Sequence, residues 1–248
     1  MKSIIITGAS SGIGRATAEK FLDNGWRVGL IARRAELLED IANSYETAVA
    51  LPADVTDPDE MKDAFAGFVG ETGRLDVLFN NAGMFGPSAP IDEVPLDQWM
   101  QVLNVNVGGM FIAAQLAFAQ MRAQDPQGGR IINNGSLSAH VPRPNSVCYT
   151  TTKHAISGLT KTISLDGRAC NVACGQIDIG NAETDMVAAL KATQPDTLTM
   201  DVRHAVDAVW HMAQLPLDAS TAQSIGFYHS INDYSNNINS AEQVLLNN

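Results

Sequence analysis

Thr7-Gly8-Ala9-Ser10-Ser11-Gly12-Ile13-Gly14 is the stretch whose reading decides the fold. An apolar run from Ser3 to Thr7 precedes it and reads as a strand. Gly14 to Asp23 follows as a predicted helix, and Arg27 to Ala32 as a second strand. Strand, glycine turn, helix and strand make a βαβ unit. Glycines in such a turn permit a tight reversal, a close backbone approach by pyrophosphate and close packing of helix on strand. The helix N-terminus adds unpaired N–H groups and a positive dipole. The Gly-x-x-x-Gly-x-Gly spacing therefore marks Gly8, Ser10, Ser11, Gly12, Ile13 and Gly14 as a candidate dinucleotide cradle.

Working outward, the same alternation continues. A short strand is predicted over Thr47 to Leu51, a capped helix from Pro58 to Gly70, and an apolar strand from Leu75 to Phe79 that ends in Asn80-Asn81-Ala82-Gly83. A helix beginning at Asp97, an apolar helix from Met110 to Ala123, and a buried strand from Gly129 to Asn134 come next. An amphipathic helix spans Met200 to Met212. The pattern predicts an α/β fold: one Rossmann-type doubly wound parallel sheet flanked by helices, over residues 1–228, with a polar lid at about 180–199. Residues 229–248 read as an atypical, asparagine-rich polar tail. With 248 residues, 45% of them hydrophobic, the chain suffices for one sizeable core.

Composition narrows the partners. The net charge of −11 should repel phosphate backbones and anionic lipid surfaces, which argues against nucleic acid and membrane as partners. No run reads as the roughly 18 apolar residues of a membrane span. Met1 leads directly into the first strand with no signal peptide, so a cytoplasmic protein is expected. Cys148, Cys170 and Cys174 form no Cys-x-x-Cys pair and read as free thiols in a reducing compartment. His140, His154, His204, His211 and His229 show no metal-ligand spacing and read as surface or packing residues; no metal is expected.

The chemistry gathers further along. Tyr149 and Lys153 are one helical turn apart, so both project from one helix face. An ammonium beside a phenol favours the phenolate and lowers a pKa that is ordinarily about 10. Ser136 lies thirteen residues before the tyrosine, at the end of the Gly129–Asn134 strand, where its hydroxyl can bond the oxygen that the tyrosine protonates.

The glycine turn, Asn80-Asn81-Ala82-Gly83, Ser136 and Tyr-x-x-x-Lys, in that order, resemble the short-chain dehydrogenase/reductase family over about residues 1 to 186. The resemblance implies an oxidoreductase that transfers hydride between a nicotinamide dinucleotide and a carbonyl or secondary alcohol. It makes Ser136, Tyr149, Lys153 and Asn106 catalytic, with Asn106 preferred over Asn104 as the residue that kinks its helix and holds a water in a proton relay to the lysine. It places Asp54, followed by Val55, at the adenine, the backbone at Asn81, Ala82 and Gly83 beside the adenosine, and Tyr149 and Lys153 against the cofactor as well. Homodimers or homotetramers are usual in the family.

Three departures follow from the same resemblance. Ala32 stands where the family's NAD enzymes carry an acid, and Arg33 and Arg34 follow; a cation there accommodates a 2′-phosphate, so NADP(H) is preferred and NAD(H) is possible. Cys174 stands for the proline of a Pro-Gly turn after a connection about five residues shorter than usual, which places Ile177 at the nicotinamide carboxamide. Ile179 then replaces a threonine, and Thr184 is assigned to supply the missing hydroxyl. The alternative function is a dinucleotide-binding regulator or scaffold with little turnover.

Overall fold

The computed structural model describes residues 1–193, 197–219 and 225–227. The expected 229–248 tail lies outside them. Seven parallel strands form one sheet: β1 (Ser3–Thr7), β2 (Arg27–Ala32), β3 (Ala48–Pro52), β4 (Val77–Asn80), β5 (Gly129–Asn134), β6 (Val172–Ile179) and β7 (Ile225–Phe227). Their order is β3-β2-β1-β4-β5-β6-β7. The winding direction reverses between β1 and β4, which opens a crevice beyond their carboxyl ends, the usual ligand position in such sheets.

Helices α1 (Gly12–Asp23), α2 (Ala35–Ala42), α3 (Pro58–Thr72), α4 (Leu96–Leu103), α5 (Met110–Ala123), α6 (Val147–Asp166), α7 (Asp185–Thr193) and α8 (Val202–Gln214) complete the described fold. Strand alternation sorts the apolar side chains to two faces. Ile4 and Ile6 of β1 join a cluster with Phe21 of α1, Leu38 of α2 and Val209 of α8. Ile5, between them, joins Phe65 and Phe68 of α3 and Ala113 and Ala117 of α5 on the opposite face. A doubly covered parallel sheet needs such continuous burial, and all five residues of β1 are buried. Local signals set the ends of α3: Asp57 accepts from the N–H groups of Asp59 and Glu60, Pro58 opens the first turn, and Gly73 closes it at φ +74°.

Two features differ from the expectation. First, α4 and α5 form one rod, Leu96–Ala123, joined by a π-helical turn over Asn104–Gly109. This 28-residue rod, with a mean hydropathy of 1.6 in its most apolar window, is long and apolar enough to cross a membrane by length and composition. The sequence pattern suggested two shorter helices. Its inner side, including Met110, Ala113, Ala117 and Met121, is buried against the sheet. Second, the lid region carries a helix, α7, rather than only polar irregular chain.

Candidate active site

A cavity of about 980 Å³ runs along the crevice. At one end lies the glycine turn. Gly8 and Gly12 have φ of +70° and +54°, conformations that favour glycine. Gly8, Ser10, Ser11, Gly12 and Ile13 line the cavity, whereas Gly14 does not. Gly14 serves packing instead: a Cβ there would lie 2.2 Å from the Gly8 carbonyl oxygen. Ser11 precedes α1 without a side-chain cap, and the first turn holds no acidic residue, so the helix N-terminus keeps its positive character toward the cavity.

Arg33 and Arg34 line the cavity at the end of β2, next to Ala32. Arg34 donates to the Ser10 and Ser11 hydroxyls at 2.8 and 3.1 Å, tying β2 to the turn. Asp54 and Val55 form the neighbouring wall, with one Asp54 carboxylate oxygen accepting from both the backbone and the hydroxyl of Thr56. Asn81, Ala82 and Gly83 follow β4 along the cavity. The Asn81 side chain donates to the Thr7 carbonyl at 3.0 Å and accepts from Asn134 at 2.8 Å, so it stitches β1, β4 and β5 together at the crevice. The Thr7 hydroxyl accepts from the N–H groups of both Asn81 and Ala82.

The reacting groups gather at the other end. Ser136 caps a short turn over Leu137–Ala139, its Oγ accepting from the Ser138 N–H at 3.2 Å. That bond occupies a lone pair and leaves the serine proton for another acceptor. Tyr149, in the first turn of α6, lines the cavity with Ser136 and packs edge-on against Phe85 with centroids 4.8 Å apart. Lys153 is buried one turn on, its Nζ donating to the Asn134 carbonyl at 2.6 Å.

Burial pushes the Tyr149 phenol up, while the Ser136 hydrogen bond and the Arg143 guanidinium pull it down and the Asp178 charge adds to the rise. Lys153 is itself pushed down to about 8 by burial, against the opposing pull of Asp178. Two cations lie over the Tyr149 ring: Lys153 Nζ is 5.4 Å and the Arg143 guanidinium carbon 6.0 Å from its centroid.

Asn106 is fully buried behind the cavity wall and Asn104 is exposed. The Asn106 amide is occupied: Oδ1 accepts from Met84 N–H at 2.8 Å, and Nδ2 donates to the Met84 carbonyl at 2.9 Å and to Thr152 Oγ1 at 3.1 Å.

The segment after α6 requires the main correction. It is an uninterrupted eight-residue strand, β6, every residue of which is buried. Cys174 sits mid-strand opposite Ile131, its thiol pushed up to about 12 by burial. The chain leaves the sheet at Gly180, five residues later than the Cys174-Gly175 reading. Ile177 is fully buried in the core, and its carbonyl accepts from the Gly135 N–H; it does not line the cavity. Ile179, Ala182 and Thr184 do line it. Thr184 faces the glycine turn, where a Cβ on Gly12 would lie 3.3 Å from its methyl group.

Among the cavity residues with no role assigned from the sequence are His140 and Asp178. His140, read as surface or packing, lines the cavity with its Nε2 2.6 Å from Asp178 Oδ2. Asp178, in the buried strand β6, lines it as well, with partners on both carboxylate oxygens as such burial requires.

The cavity fits a dinucleotide on its own geometry. Turn glycines whose Cβ atoms would meet neighbouring atoms lie beneath it, an uncapped helix N-terminus faces it, and the buried Asn134 Oδ1 beside it has no partner among the described residues. Similarity to known proteins agrees. A sequence profile of short chain dehydrogenases matches residues 2–195. The chain is 34% identical over 181 residues to a 3β-hydroxysteroid dehydrogenase of Mediterraneibacter gnavus, covering 70% of this chain and 64% of that protein, thus less than two thirds of its length. It is 36% identical over 189 residues to a 2-(R)-hydroxypropyl-CoM dehydrogenase of Xanthobacter autotrophicus, 73% of this chain and 75% of that one. A short-chain type dehydrogenase/reductase from Mycobacterium marinum superposes with a TM-score of 0.84 at 25% identity, covering 92% of this chain and 94% of that chain.

Proposed function

Because the chain belongs to the short-chain dehydrogenase family, an oxidoreductase family whose members bind nicotinamide dinucleotides, we propose that it transfers hydride between NADP(H) and a small carbonyl or secondary alcohol. The meeting of Ser136, Tyr149 and the buried Lys153 at one end of the cavity is the observation that carries this reading.

When bound, the dinucleotide supplies or accepts the hydride. The protein's own groups manage the oxygen. In reduction Tyr149 donates its proton to the substrate oxygen as charge develops there. Ser136, its lone pair held by the Ser138 N–H, donates to the same oxygen and stabilises that charge. Lys153 is placed to hold ribose hydroxyls, anchored by the Asn134 carbonyl. Asn106 acts as a positioning residue: its amide holds Met84 and Thr152, and thereby the π-helical turn, against the cavity wall.

NADP(H) is favoured because the end of β2 presents Ala32, Arg33 and Arg34, two cations and no carboxylate. Met84, Phe85 and Val141 give the substrate end an apolar wall with Arg143 at its edge. The exposed Phe111 and Leu165, at 50% and 57%, lie on α5 and α6 and are apolar area that a second copy would cover, which supports a homo-oligomer. Three buried, unpaired cysteines fit a reducing, cytoplasmic setting. The scaffold reading draws on two features, the altered segment after Asp166 and the polar 229–248 tail; the first is the regular strand β6, and the second lies outside the described residues.

Tyr149→Phe tests the assignment. Turnover should fall by at least about 10³-fold with NADPH affinity within about threefold of the parent; an active Phe variant overturns it. Side-by-side fluorescence titration tests the cofactor, with NADPH expected to bind more tightly than NADH. Arg33→Asp should narrow that preference by about tenfold or more, and an unchanged ratio defeats the argument from β2.

A further inference from the structure

Asp178 is 0% exposed at the carboxyl end of β6. Its neighbours in the strand, Ile177 and Ile179, turn to the apolar core, whereas Asp178 turns toward the loop that carries Ser136. Taking a carboxylate out of water is expensive unless its oxygens are well hydrogen-bonded. Here they are. Oδ1 accepts from the Ser136 backbone N–H at 2.9 Å and from Gln176 Nε2 at 2.7 Å, and Oδ2 lies 2.6 Å from His140 Nε2. The strand end is shaped around this group, since a Cβ at Gly135 would lie 2.0 Å from Asp178 Oδ1.

Gln176 extends the connection to α6. Its Nε2 also donates to Ser157 Oγ at 3.1 Å, and its Oε1 accepts from Thr160 Oγ1 at 3.3 Å. The carboxylate that holds the Ser136 loop is therefore tied to the helix that carries Tyr149 and Lys153. The two groups that must meet on one substrate oxygen come from different elements, and Asp178 is a junction between them.

We propose that Asp178 is a positioning residue, whose carboxylate fixes Ser136 relative to Tyr149 and holds His140 at the substrate end of the cavity. The proposal rests on reading Ser136 and Tyr149 as the pair that handles the substrate oxygen. Its charge has a second effect. The groups facing it are Tyr149 and Lys153 from α6 and His140 from the loop, with Arg143 acting on Tyr149 as the opposing cation. Asp178 pushes both the phenol and the ammonium up, so it favours the protonated tyrosine that reduction uses.

The test compares Asp178→Ala and Asp178→Asn in the full chain. Three readouts apply: NADPH affinity, kcat and KM, and Tyr149 ionisation followed by near-ultraviolet difference absorbance against Tyr149→Phe. Asp178→Ala should lower kcat by about 30- to 100-fold, because misplacing a reacting group by about 1 Å costs on that order, with NADPH affinity within about threefold. Asp178→Asn keeps an oxygen for Ser136 and an amide for His140. It should recover kcat to within about fivefold of the parent while Tyr149 ionises at lower pH, the opposing charge being gone. Parent-like kcat in Asp178→Ala overturns the proposal, as does NADPH affinity falling together with kcat in both variants. If Asp178→Ala does not fold, Asp178→Asn decides by its tyrosine midpoint, and an unshifted midpoint overturns the proposal. Absence of turnover in the parent would instead defeat the hydride-transfer reading, and the tyrosine midpoint would then decide the role of Asp178 independently.

Discussion

The turn after β1 and the end of β6 both deliver backbone to the same cavity, and they do so by opposite means. The first removes side chains: Gly8 and Gly12 take positive φ, and Gly14 lets α1 pack on the turn. The second adds polar ones, burying Gln176 and Asp178 at 1% and 0% exposure and satisfying them through partners on α6 and the Ser136 loop. A turn built from glycine is a local device and reads in one dimension. A polar strand depends on residues far away in sequence.

That contrast can be broken by experiment. Gly14→Ala should have the largest effect in the first region, because the clashing atom, 2.2 Å away, is backbone and must move. Dinucleotide affinity should fall by about 100-fold in a calorimetric titration, and retention of affinity would show that the turn is more tolerant than its packing implies. Gln176→Leu is the matching change in the second region. It removes a donor from Asp178 and an acceptor from Thr160 in a buried setting, for a loss of about 1–3 kcal/mol. For a chain of this size the melting temperature should fall by about 2–12 °C. An unchanged melting temperature would mean that the polar strand contributes no net stability through these bonds.

A smaller effect sharpens the electrostatic side. Lys153 is depressed from 10.5 to about 8 in the folded state, so between those values the unfolded chain binds more protons than the folded one. Stability of the cofactor-free protein should therefore gain a rising contribution from pH 8 toward pH 10. Below pH 8 the charged, buried lysine is a constant burden. Denaturant melts of Lys153→Met should lack that rise relative to the parent, and parallel pH profiles would show that the lysine is better solvated than its surroundings suggest.

Much of the reacting end was legible because the chemistry is carried by residue type and short spacing. Tyr149 and Lys153 sit on one face of α6, and Ser136 caps the turn after β5. Asn106 rather than Asn104 turns inward, which the sequence suggested only by resemblance and the rod's burial explains. The placement of Ile177 failed because it rests on Cys174-Gly175 as the family's Pro-Gly turn, whereas the ladder runs on to Ile179. His140 was passed over because a single histidine on a loop carries no spacing signal; only the 2.6 Å contact with a carboxylate 38 residues away gives it a place.

By itself, the sequence determined the doubly wound parallel sheet, the glycine turn after β1 and the placing of Tyr149 and Lys153 one turn apart on a helix, since these follow from local periodicity, glycine conformation and helical spacing. Only the tertiary structure decided where β6 ends, that α4 and α5 form one rod, that Arg143 joins Lys153 over the tyrosine ring, and that a buried carboxylate accepts from the serine loop. Those outcomes depend on desolvation and on hydrogen bonds between distant residues, and neither is written in any single stretch of the chain.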